Sequence, residues 1–155
     1  MRRVRPNLPV LQLEGRFEVR AIEGTGAFGT VLHAWDRRLQ RDVALKCIPV
    51  DDPDRMSEVL AVEARALAKV SAPEVVDVYD WLPICIDSSR ARIPCLAIVM
   101  EYVSGRSLRH WIKSRRGLDE RLAVLISAAR GLEAAHAVDL VHRDFKPENV
   151  MVTLC

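Results

Sequence analysis

The sequence predicts an α+β fold in which a small antiparallel β-sheet with one helix precedes a mainly helical region. Residues 16–50 contain three segments that are rich in β-branched residues and alternate between polar and apolar side chains. From Ser107 onwards, apolar residues recur at helical spacing instead. This change of period separates a sheet-containing part of the chain from a helical part that follows it.

Composition and charge restrict the classes of protein to which the chain can belong. Half of the 155 residues are apolar and 28% are charged, which is typical of a globular chain. A net charge of +2 gives no electrostatic reason to expect a nucleic-acid or membrane-surface partner. The longest uncharged apolar run, Cys95–Met100, is far too short to cross a bilayer, so we expect no membrane segment in this portion.

The four cysteines, Cys47, Cys85, Cys95 and Cys155, lack the C-x-x-C spacing of a metal or redox site. The basic N-terminus is followed by a short and interrupted apolar stretch, which is a poor match to a secretion signal. We therefore expect free thiols and a cytoplasmic location. Cys47 is expected to be a small core residue and not a redox switch.

Turn residues and periodicity place the individual elements along the chain. The predicted strands are Arg16–Ile22, Thr30–Trp35, Asp42–Ile48, Val75–Trp81 and Ile93–Tyr102. The predicted helices are Arg55–Val70, Ser107–Arg115 and Asp119–Ala137. The segment Leu82–Pro94, which contains an Asp-Ser-Ser turn, is expected to be an extended hairpin connection. We expect His33, His110 and His136 to be surface or helix-packing residues, since no partner pattern accompanies them.

The predicted helix Asp119–Ala137 is apolar around most of its circumference, so we expect burial on several sides. Its apolar residues include Leu122, Val124, Leu125, Ile126, Ala128, Ala129, Leu132 and Ala135.

A glycine-rich stretch, Gly24-Thr-Gly-Ala-Phe-Gly29, follows the first predicted strand. In a dinucleotide-binding fold such a loop joins a strand to a helix whose N-terminus holds a pyrophosphate. Here the following residues, Thr30–Trp35, are β-branched and aromatic, so the loop is predicted to join two strands. Such a hairpin lets backbone N–H groups approach phosphates without obstruction by side chains. A plain glycine turn remains the alternative for this motif taken alone.

Lys46 lies within the apolar strand Val43-Ala-Leu-Lys46, where a charged side chain needs either water or an anionic partner. Glu63, on the helix predicted next, is the natural partner because an unpaired buried charge is costly. Taken singly, Glu63 would be a solvated helix residue and Lys46 an edge residue that reaches water. Together with the glycine loop, the two residues are interpreted as a salt bridge.

Near the C-terminus the chain reads His142-Arg-Asp-Phe-Lys-Pro-Glu-Asn149, which has the composition of an active-site segment. With this segment, the glycine loop, Val-Ala-Leu-Lys46, Glu63 and Met100-Glu-Tyr-Val103, the sequence resembles the protein kinase family, whose motifs occur in this order. The resemblance covers nearly the whole chain. A lysine two positions after Asp144 is typical of serine/threonine kinases, and the Ala-, Arg- and Val-rich composition resembles their bacterial branch.

The resemblance implies a protein-kinase-like fold that binds ATP and Mg²⁺. Its parts would be an N-terminal extension (residues 1–15), a complete small lobe with the segment that links the lobes (16–103) and the start of a truncated large lobe (104–155). It places the three loop glycines over the ATP phosphates, and Lys46, held by Glu63, on the α- and β-phosphates. The adenine would lie between apolar side chains and against the backbone that links the lobes. The residues implied for this nucleotide site are Ile22, Gly24, Gly26, Gly29, Val31, Ala44, Lys46, Met100, Glu101, Val103 and Met151.

The resemblance also implies roles for the residues of the C-terminal segment. Asp144 would accept or orient the proton of a substrate serine or threonine hydroxyl, Lys146 would hold the γ-phosphate, and Asn149 would bind one Mg²⁺. Arg143 suggests a kinase type that reads a phosphate on an activation loop, because a guanidinium pairs with phosphate through two hydrogen bonds.

The chain stops at Cys155, before the Asp-Phe-Gly segment in which the family holds a second metal-binding aspartate. We therefore expect an N-terminal portion of a kinase, for which another chain could supply the missing large lobe. The main hypothesis is an ATP-dependent serine/threonine protein kinase that acts on protein substrates. The alternative is a non-catalytic kinase remnant that at most binds nucleotide or a partner protein.

Overall fold

The computed structural model describes residues 15–26, 29–50, 70–87, 92–114 and 116–153. These residues belong to two compact units. The first contains the described residues up to position 50 together with Val78–Tyr102, and the second contains residues 70–77 and those from Val103 onwards. Apart from Val70, the predicted helix Arg55–Val70 lies outside the described residues, and so does its residue Glu63.

The first unit is built on an antiparallel sheet. Its strands are β1 (Phe17–Gly26), β2 (Gly29–Asp36), β3 (Arg41–Pro49), β4 (Val78–Asp87) and β5 (Arg92–Glu101). They form one five-stranded sheet in the order β1-β2-β3-β5-β4, so β5 lies between β3 and β4. The antiparallel sheet predicted for the small lobe is therefore confirmed.

Alternation along the central strands separates a buried face of the sheet from a half-buried one. Val43, Leu45 and Cys47 of β3 are at most 1% exposed, whereas Ala44 and Lys46 between them are half-buried. Because successive side chains point to opposite faces, a slip of one residue would expose the whole core face, and the apolar pattern thus sets the register. The other core residues are Phe17, Leu32, Ala34, Ile84, Cys95, Ala97 and Val99.

Cys47 is the small core residue that the sequence predicted. It lies inside the first unit with 1% of its surface exposed. Burial raises the pKa of its thiol to about 12, since a thiolate would be poorly solvated there. The thiol is therefore protonated at neutral pH.

Strand β4 differs from its prediction. It covers Val78–Asp87 instead of Val75–Trp81, and most of the predicted connection Leu82–Pro94 belongs to the β4–β5 hairpin. Two prolines obscured this in the sequence. Pro83 lies in an edge strand, where a missing N–H can face solvent, and Pro94 lies beyond the last residue of β5 that pairs with β3.

An ion-pair network joins the start of β1 to the end of β2 and to β4. The Arg16 guanidinium contacts Asp36 at 2.8 Å and Asp80 at 2.6 Å. Asp36, whose side chain has no exposed area, also accepts hydrogen bonds from the N–H groups of Arg38 and Leu39 at 2.8 and 3.1 Å. A buried carboxylate is tolerated when its oxygens are paired in this way.

The described residues of the second unit form two helices and a small strand pair. Its elements are β6 (Gly105–Ser107), α1 (Leu108–Trp111), α2 (Leu118–His136) and β7 (Met151–Thr153), and β6 pairs with β7. The predicted helix Ser107–Arg115 is wrong in length, because α1 has only 4 residues. After Trp111 the chain turns, and both the N–H and the hydroxyl of Ser114 donate to the Trp111 carbonyl oxygen. A serine side chain that bonds to the backbone in this way competes with helix continuation.

Helix α2 confirms the long helix that was predicted at Asp119–Ala137. It begins after Gly117, whose N–H donates to the Glu120 carboxylate at 3.3 Å. Gly131 is buried, and a Cβ there would lie 3.0 Å from the carbonyl oxygen of Glu74. The glycine thus permits close packing between α2 and the segment 70–77. Among the described residues, no helix is long and apolar enough to span a membrane.

Candidate active site

Cross-strand pairing brings several predicted nucleotide-binding residues to the half-buried face of the first unit's sheet. Val31 of β2 pairs with Lys46 of β3, and Ala44 of β3 pairs with Met100 of β5. Residues directly opposite each other in antiparallel strands project from the same face, with Cβ atoms about 5 Å apart. On its other side Lys46 pairs with Ile98, so the lysine stands between two apolar side chains.

The three loop glycines differ in what the fold requires of them. The pairing of β1 with β2 extends to Gly24–Val31 and Gly26–Gly29, so the loop is the tip of a hairpin, as the sequence predicted. Gly29 has a φ of +110°, and a Cβ there would collide with the carbonyl oxygen of Cys47. For Gly24 and Gly26, no described atom lies within 4 Å of the position that a Cβ would take. Packing among the described residues therefore does not explain these two glycines, whereas close approach of a phosphate to the backbone would.

The remaining predicted nucleotide-binding residues are distributed over both units. Ile22 and Glu101 lie in β1 and β5 of the first unit, and Ile22 precedes an irregularity in the β1–β2 pairing. Val103 and Met151 belong to the second unit. The salt bridge expected between the strand lysine and Glu63 stays a prediction, because Glu63 lies outside the described residues.

The segment 142–149 of the second unit lies between α2 and β7, and the start of α1 holds its end in place. The backbone N–H of Leu108 donates to the carbonyl oxygen of Val150, directly after the segment, at 2.7 Å, and that of Arg109 donates to the carbonyl oxygen of Pro147 at 3.1 Å. The Arg109 guanidinium also lies 2.8 Å from the carboxylate of Glu148. The N–H groups at the start of a helix have no partner within the helix, and here two of them position the loop.

The two predicted catalytic residues of this segment, Asp144 and Lys146, form one hydrogen-bonded group with the predicted metal ligand Asn149. Lys146 Nζ lies 2.8 Å from the carboxylate of Asp144. The side-chain nitrogen of Asn149 donates to the Asp144 carboxylate at 3.0 Å and to its backbone carbonyl oxygen at 2.8 Å. These contacts fix the direction of the carboxylate. They also leave the Asn149 amide oxygen without a hydrogen bond from any described residue, and such an oxygen can serve as a ligand of Mg²⁺.

A strained turn precedes the carboxylate. Arg143 has a φ of +58°, and around it the N–H of Asp144 donates to the carbonyl oxygen of His142 at 2.7 Å. This three-residue turn with a non-glycine residue at positive φ costs about 1–3 kcal/mol. Strain of this kind is retained where the surrounding structure holds the chain, and here it aims the Asp144 side chain towards Lys146 and Asn149. No pattern in the sequence predicts this turn.

The electrostatics of the group keep Asp144 ionised. The pKa of Asp144 lies below its ordinary value, first because Lys146 hydrogen-bonds to the carboxylate. Desolvation acts in the opposite direction, while the Asn149 hydrogen bond and the charges of Lys146 and His142 lower the pKa further. A lowered pKa means that the carboxylate is charged at neutral pH and protonates only as the pH falls through the lowered value.

The expectation that His33 is an ordinary surface or helix-packing residue is wrong. Its ring stacks on the ring of Tyr102, with centroids 3.8 Å apart and planes at 4°. Its Nε2 lies 2.7 Å from the carboxylate of Asp42. The two aromatic residues are far apart in the chain, so sequence patterns gave no sign of the contact. His110 and His136 are exposed, as expected.

Comparison with known families decides to which family these two units belong. A model of the protein kinase domain matches residues 17–154. The chain belongs to the protein kinase family. The match covers both the glycine hairpin with Lys46 and the segment with Asp144 and Asn149, and it confirms the family that the motifs predicted.

Curated bacterial relatives are similar over almost the whole kinase chain. A probable serine/threonine-protein kinase of Streptomyces coelicolor is 40% identical over 147 residues, which is 92% of this chain and 21% of the relative. The serine/threonine-protein kinase PknA of Mycobacterium tuberculosis is 34% identical over 91% of this chain and 33% of its own length. The probable serine/threonine-protein kinase PknB of Bifidobacterium longum is 32% identical over 95% of this chain and 22% of its own length. The chain thus spans between about a fifth and a third of the length of these relatives.

Proposed function

We propose that this chain is the nucleotide-binding and catalytic-loop portion of a serine/threonine protein kinase, which transfers the γ-phosphate of ATP to protein hydroxyl groups. The observation that carries the proposal is the hydrogen-bonded group of Asp144, Lys146 and Asn149. Phosphoryl transfer requires mainly positioning and charge stabilisation, and this group provides an oriented anion, a cation and an amide oxygen within a few ångströms.

For nucleotide binding, the first unit provides the backbone of the glycine hairpin and the half-buried face of the sheet. Gly24 and Gly26 would let the hairpin backbone approach the phosphates, and Lys46, with Glu63 as its partner, would neutralise the α- and β-phosphates. The adenine would lie against apolar side chains of this half-buried face, and backbone groups would hydrogen-bond to the edge of the base. The residues proposed for the base are Ile22, Val31, Ala44, Met100, Glu101, Val103 and Met151.

On the transfer side, Asp144 would accept a hydrogen bond from the substrate hydroxyl and direct it towards the γ-phosphate. Its lowered pKa makes it a weak base, so it orients the hydroxyl and takes the proton only as the bond to phosphorus forms. Lys146 would neutralise the transferring group, and the amide oxygen of Asn149 would hold one Mg²⁺. When bound, Mg²⁺ supplies positive charge to the phosphate oxygens.

The lysine at position 146 and the names of the relatives favour serine and threonine hydroxyls of proteins as acceptors. An ATP-dependent reaction and the free thiols of Cys47, Cys85 and Cys95 are in accord with a cytoplasmic site of action. The alternative of a non-catalytic remnant is not favoured, because the similarity to kinases extends through the catalytic segment.

Nucleotide binding tests the proposal directly. A fluorescent ATP analogue is bound to the 155-residue chain at low micromolar concentration and displaced with MgATP. Lys46→Ala should weaken MgATP binding by about tenfold or more, because a charge-assisted contact to phosphate is lost. Lys113→Ala, at an exposed lysine of the second unit, is the matched control and should leave the affinity unchanged.

Transfer is measured with γ-labelled ATP, Mg²⁺ and a general protein substrate. Any label that the wild type places on serine or threonine should disappear in Asp144→Asn, which keeps the size of the side chain and removes its charge. A folded wild-type chain that fails to bind MgATP at millimolar concentration would overturn the proposal. Equal affinity of the wild type and Lys46→Ala would overturn the role given to that lysine.

A further inference from the structure

The stacked rings of His33 and Tyr102 involve the half-buried face of the first unit's sheet, and they have no part in the roles proposed above. His33 of β2 pairs with Ala44 of β3, which in turn pairs with Met100 of β5. The imidazole therefore belongs to the same cross-strand row as two residues proposed to contact the adenine. Tyr102 follows Glu101, the last residue of β5, and its ring covers that of His33 at a centroid distance of 3.8 Å.

The imidazole is also anchored through its Nε2 atom. Its Nε2 lies 2.7 Å from Asp42 Oδ1, and the same oxygen is 2.6 Å from the Arg20 guanidinium. Arg20 in turn lies over the Trp35 ring, with its guanidinium carbon 5.0 Å from the ring centroid. These contacts restrain the position of the His33 ring on which Tyr102 stacks.

Tyr102 is held at both ends of its side chain. Its ring lies on His33, and its hydroxyl donates to the Glu23 carboxylate of β1 at 3.2 Å. Burial raises the pKa of the Tyr102 hydroxyl, and the nearby charge of Glu23 acts in the same direction. The hydroxyl is therefore protonated and able to donate at neutral pH. Contacts from β1 and β2 thus restrain a residue directly after β5.

We propose that His33 is a positioning residue for the nucleotide base: by stacking on Tyr102 it holds the backbone at residues 101 and 102 in the conformation that binds the adenine edge. The inference rests on the proposed function, since it concerns the same nucleotide site. A backbone restrained before binding loses less conformational freedom when the base binds, and this raises affinity without a new contact. The effect is confined to the base, because the phosphates are assigned to Lys46 and the glycine hairpin.

The stack could instead serve only the stability of the sheet, and the two roles predict different ligand dependence. Displacement titrations with adenosine and with MgATP separate the base from the phosphates. His33→Leu should weaken both ligands by the same factor, about fivefold, as expected for the loss of one aromatic pair. Lys46→Ala should weaken MgATP alone and leave adenosine binding unchanged.

Conservative and control variants complete the experiment. His33→Phe keeps a flat ring and should restore adenosine affinity to within about twofold of the wild type. Tyr102→Leu should match His33→Leu, and the double variant should add little to either, because the two residues act through one contact. His110→Leu, at an exposed histidine of α1, should change neither affinity.

The possible outcomes distinguish failure of the positioning role of His33 from failure of the proposed nucleotide-binding function. A wild-type chain that binds neither adenosine nor MgATP would overturn both. Wild-type binding of both ligands, with adenosine affinity unchanged in His33→Leu and in Tyr102→Leu, would overturn the positioning role alone. If His33→Leu fails to fold, His33→Phe and Tyr102→Leu decide the question. A loss of affinity in Tyr102→Leu that differs between adenosine and MgATP would also count against the positioning role.

Discussion

At the scale of single residues, Asp36 shows how a charge is accommodated inside the first unit. Its carboxylate is fully buried and accepts hydrogen bonds from Arg16 and from two backbone N–H groups. Burial by itself would raise the pKa of Asp36, but Arg16 and the N–H groups of Arg38 and Leu39 outweigh it, and the pKa is lowered. Asp36 thus stabilises the fold only while it is ionised.

We predict that Asp36→Ala lowers the free energy of unfolding by about 3 kcal/mol, because it leaves Arg16 and two N–H groups without their buried acceptor. Urea unfolding followed by circular dichroism measures the change. Glu18→Ala is the control: Glu18 lies 3.6 Å from Arg37 in an exposed pair, which is worth about 0–1 kcal/mol.

The same aspartate predicts a pH dependence. A folded-state pKa below the unfolded value means that the stabilisation is complete above about pH 4 and is lost as the pH falls through the folded value. The difference in stability between the wild type and Asp36→Ala should therefore shrink under acid conditions. A difference that stayed constant as the pH fell from neutral to well below the folded-state pKa would contradict this account.

At the scale of elements, the β1–β2 hairpin combines a glycine that the fold needs with glycines that it does not. Gly29 has a positive φ and lies against the backbone of Cys47 in the neighbouring strand. Gly26, its cross-strand partner, has free space at the Cβ position among the described residues. A glycine at position 29 is therefore required by the fold, whereas the glycine at position 26 would be explained by ligand binding.

We predict that Gly29→Ala destabilises the protein by about 2 kcal/mol or more, since alanine at this φ is strained and its Cβ meets a backbone carbonyl. Gly26→Ala should unfold at the wild-type denaturant concentration. It should nevertheless weaken MgATP binding, because the added methyl group lies where the hairpin would face the phosphates. Equal stability of the two variants would show that the Gly29 backbone can relax away from Cys47.

At the scale of the whole molecule, helix α2 carries two apolar stripes. One includes Gly131 and Ala135, which are buried within the second unit. The other is exposed, and its members follow the i, i+4, i+7, i+8 spacing of one helix face. These residues are Leu118, Leu122, Leu125 and Ile126, which are 71%, 46%, 54% and 53% exposed. The apolar circumference expected from the sequence is thus present, with one side covered by the described residues and another open.

We predict that the 155-residue chain self-associates, because burial of each large aliphatic side chain in this stripe would gain about 1.5–3 kcal/mol. Analytical ultracentrifugation should show species whose mass rises with concentration. The variant with Leu122→Gln and Ile126→Gln should shift towards the monomer, and Arg121→Gln, at an exposed position of the same helix, should not. A monodisperse wild-type monomer at high concentration would contradict the prediction.

The sequence by itself determined the family and the antiparallel class of the sheet, and it predicted which residues form the site. Period-two alternation predicted β1, β2 and β3, and the order of the motifs placed Lys46 and Asp144 in their segments. These signals are local: alternation, turn residues and short motifs each operate within about ten residues. They can therefore be recognised without knowing which distant residues each segment contacts in the fold. The same locality explains why both ends of α2 were predicted to within one residue.

Only the tertiary structure decided which distant side chains meet. Arg16 is separated by 20 residues from Asp36 and by 64 from Asp80, and Tyr102 by 79 from Glu23. Such contacts depend on strand register and on the crossover that puts β5 beside β3, which no short stretch of sequence encodes. The stack of His33 on Tyr102 and the strained turn at Arg143 arise in the same way. In each case the rest of the fold supplies the contacts that hold a side chain or backbone in a position its own neighbours in sequence do not prefer.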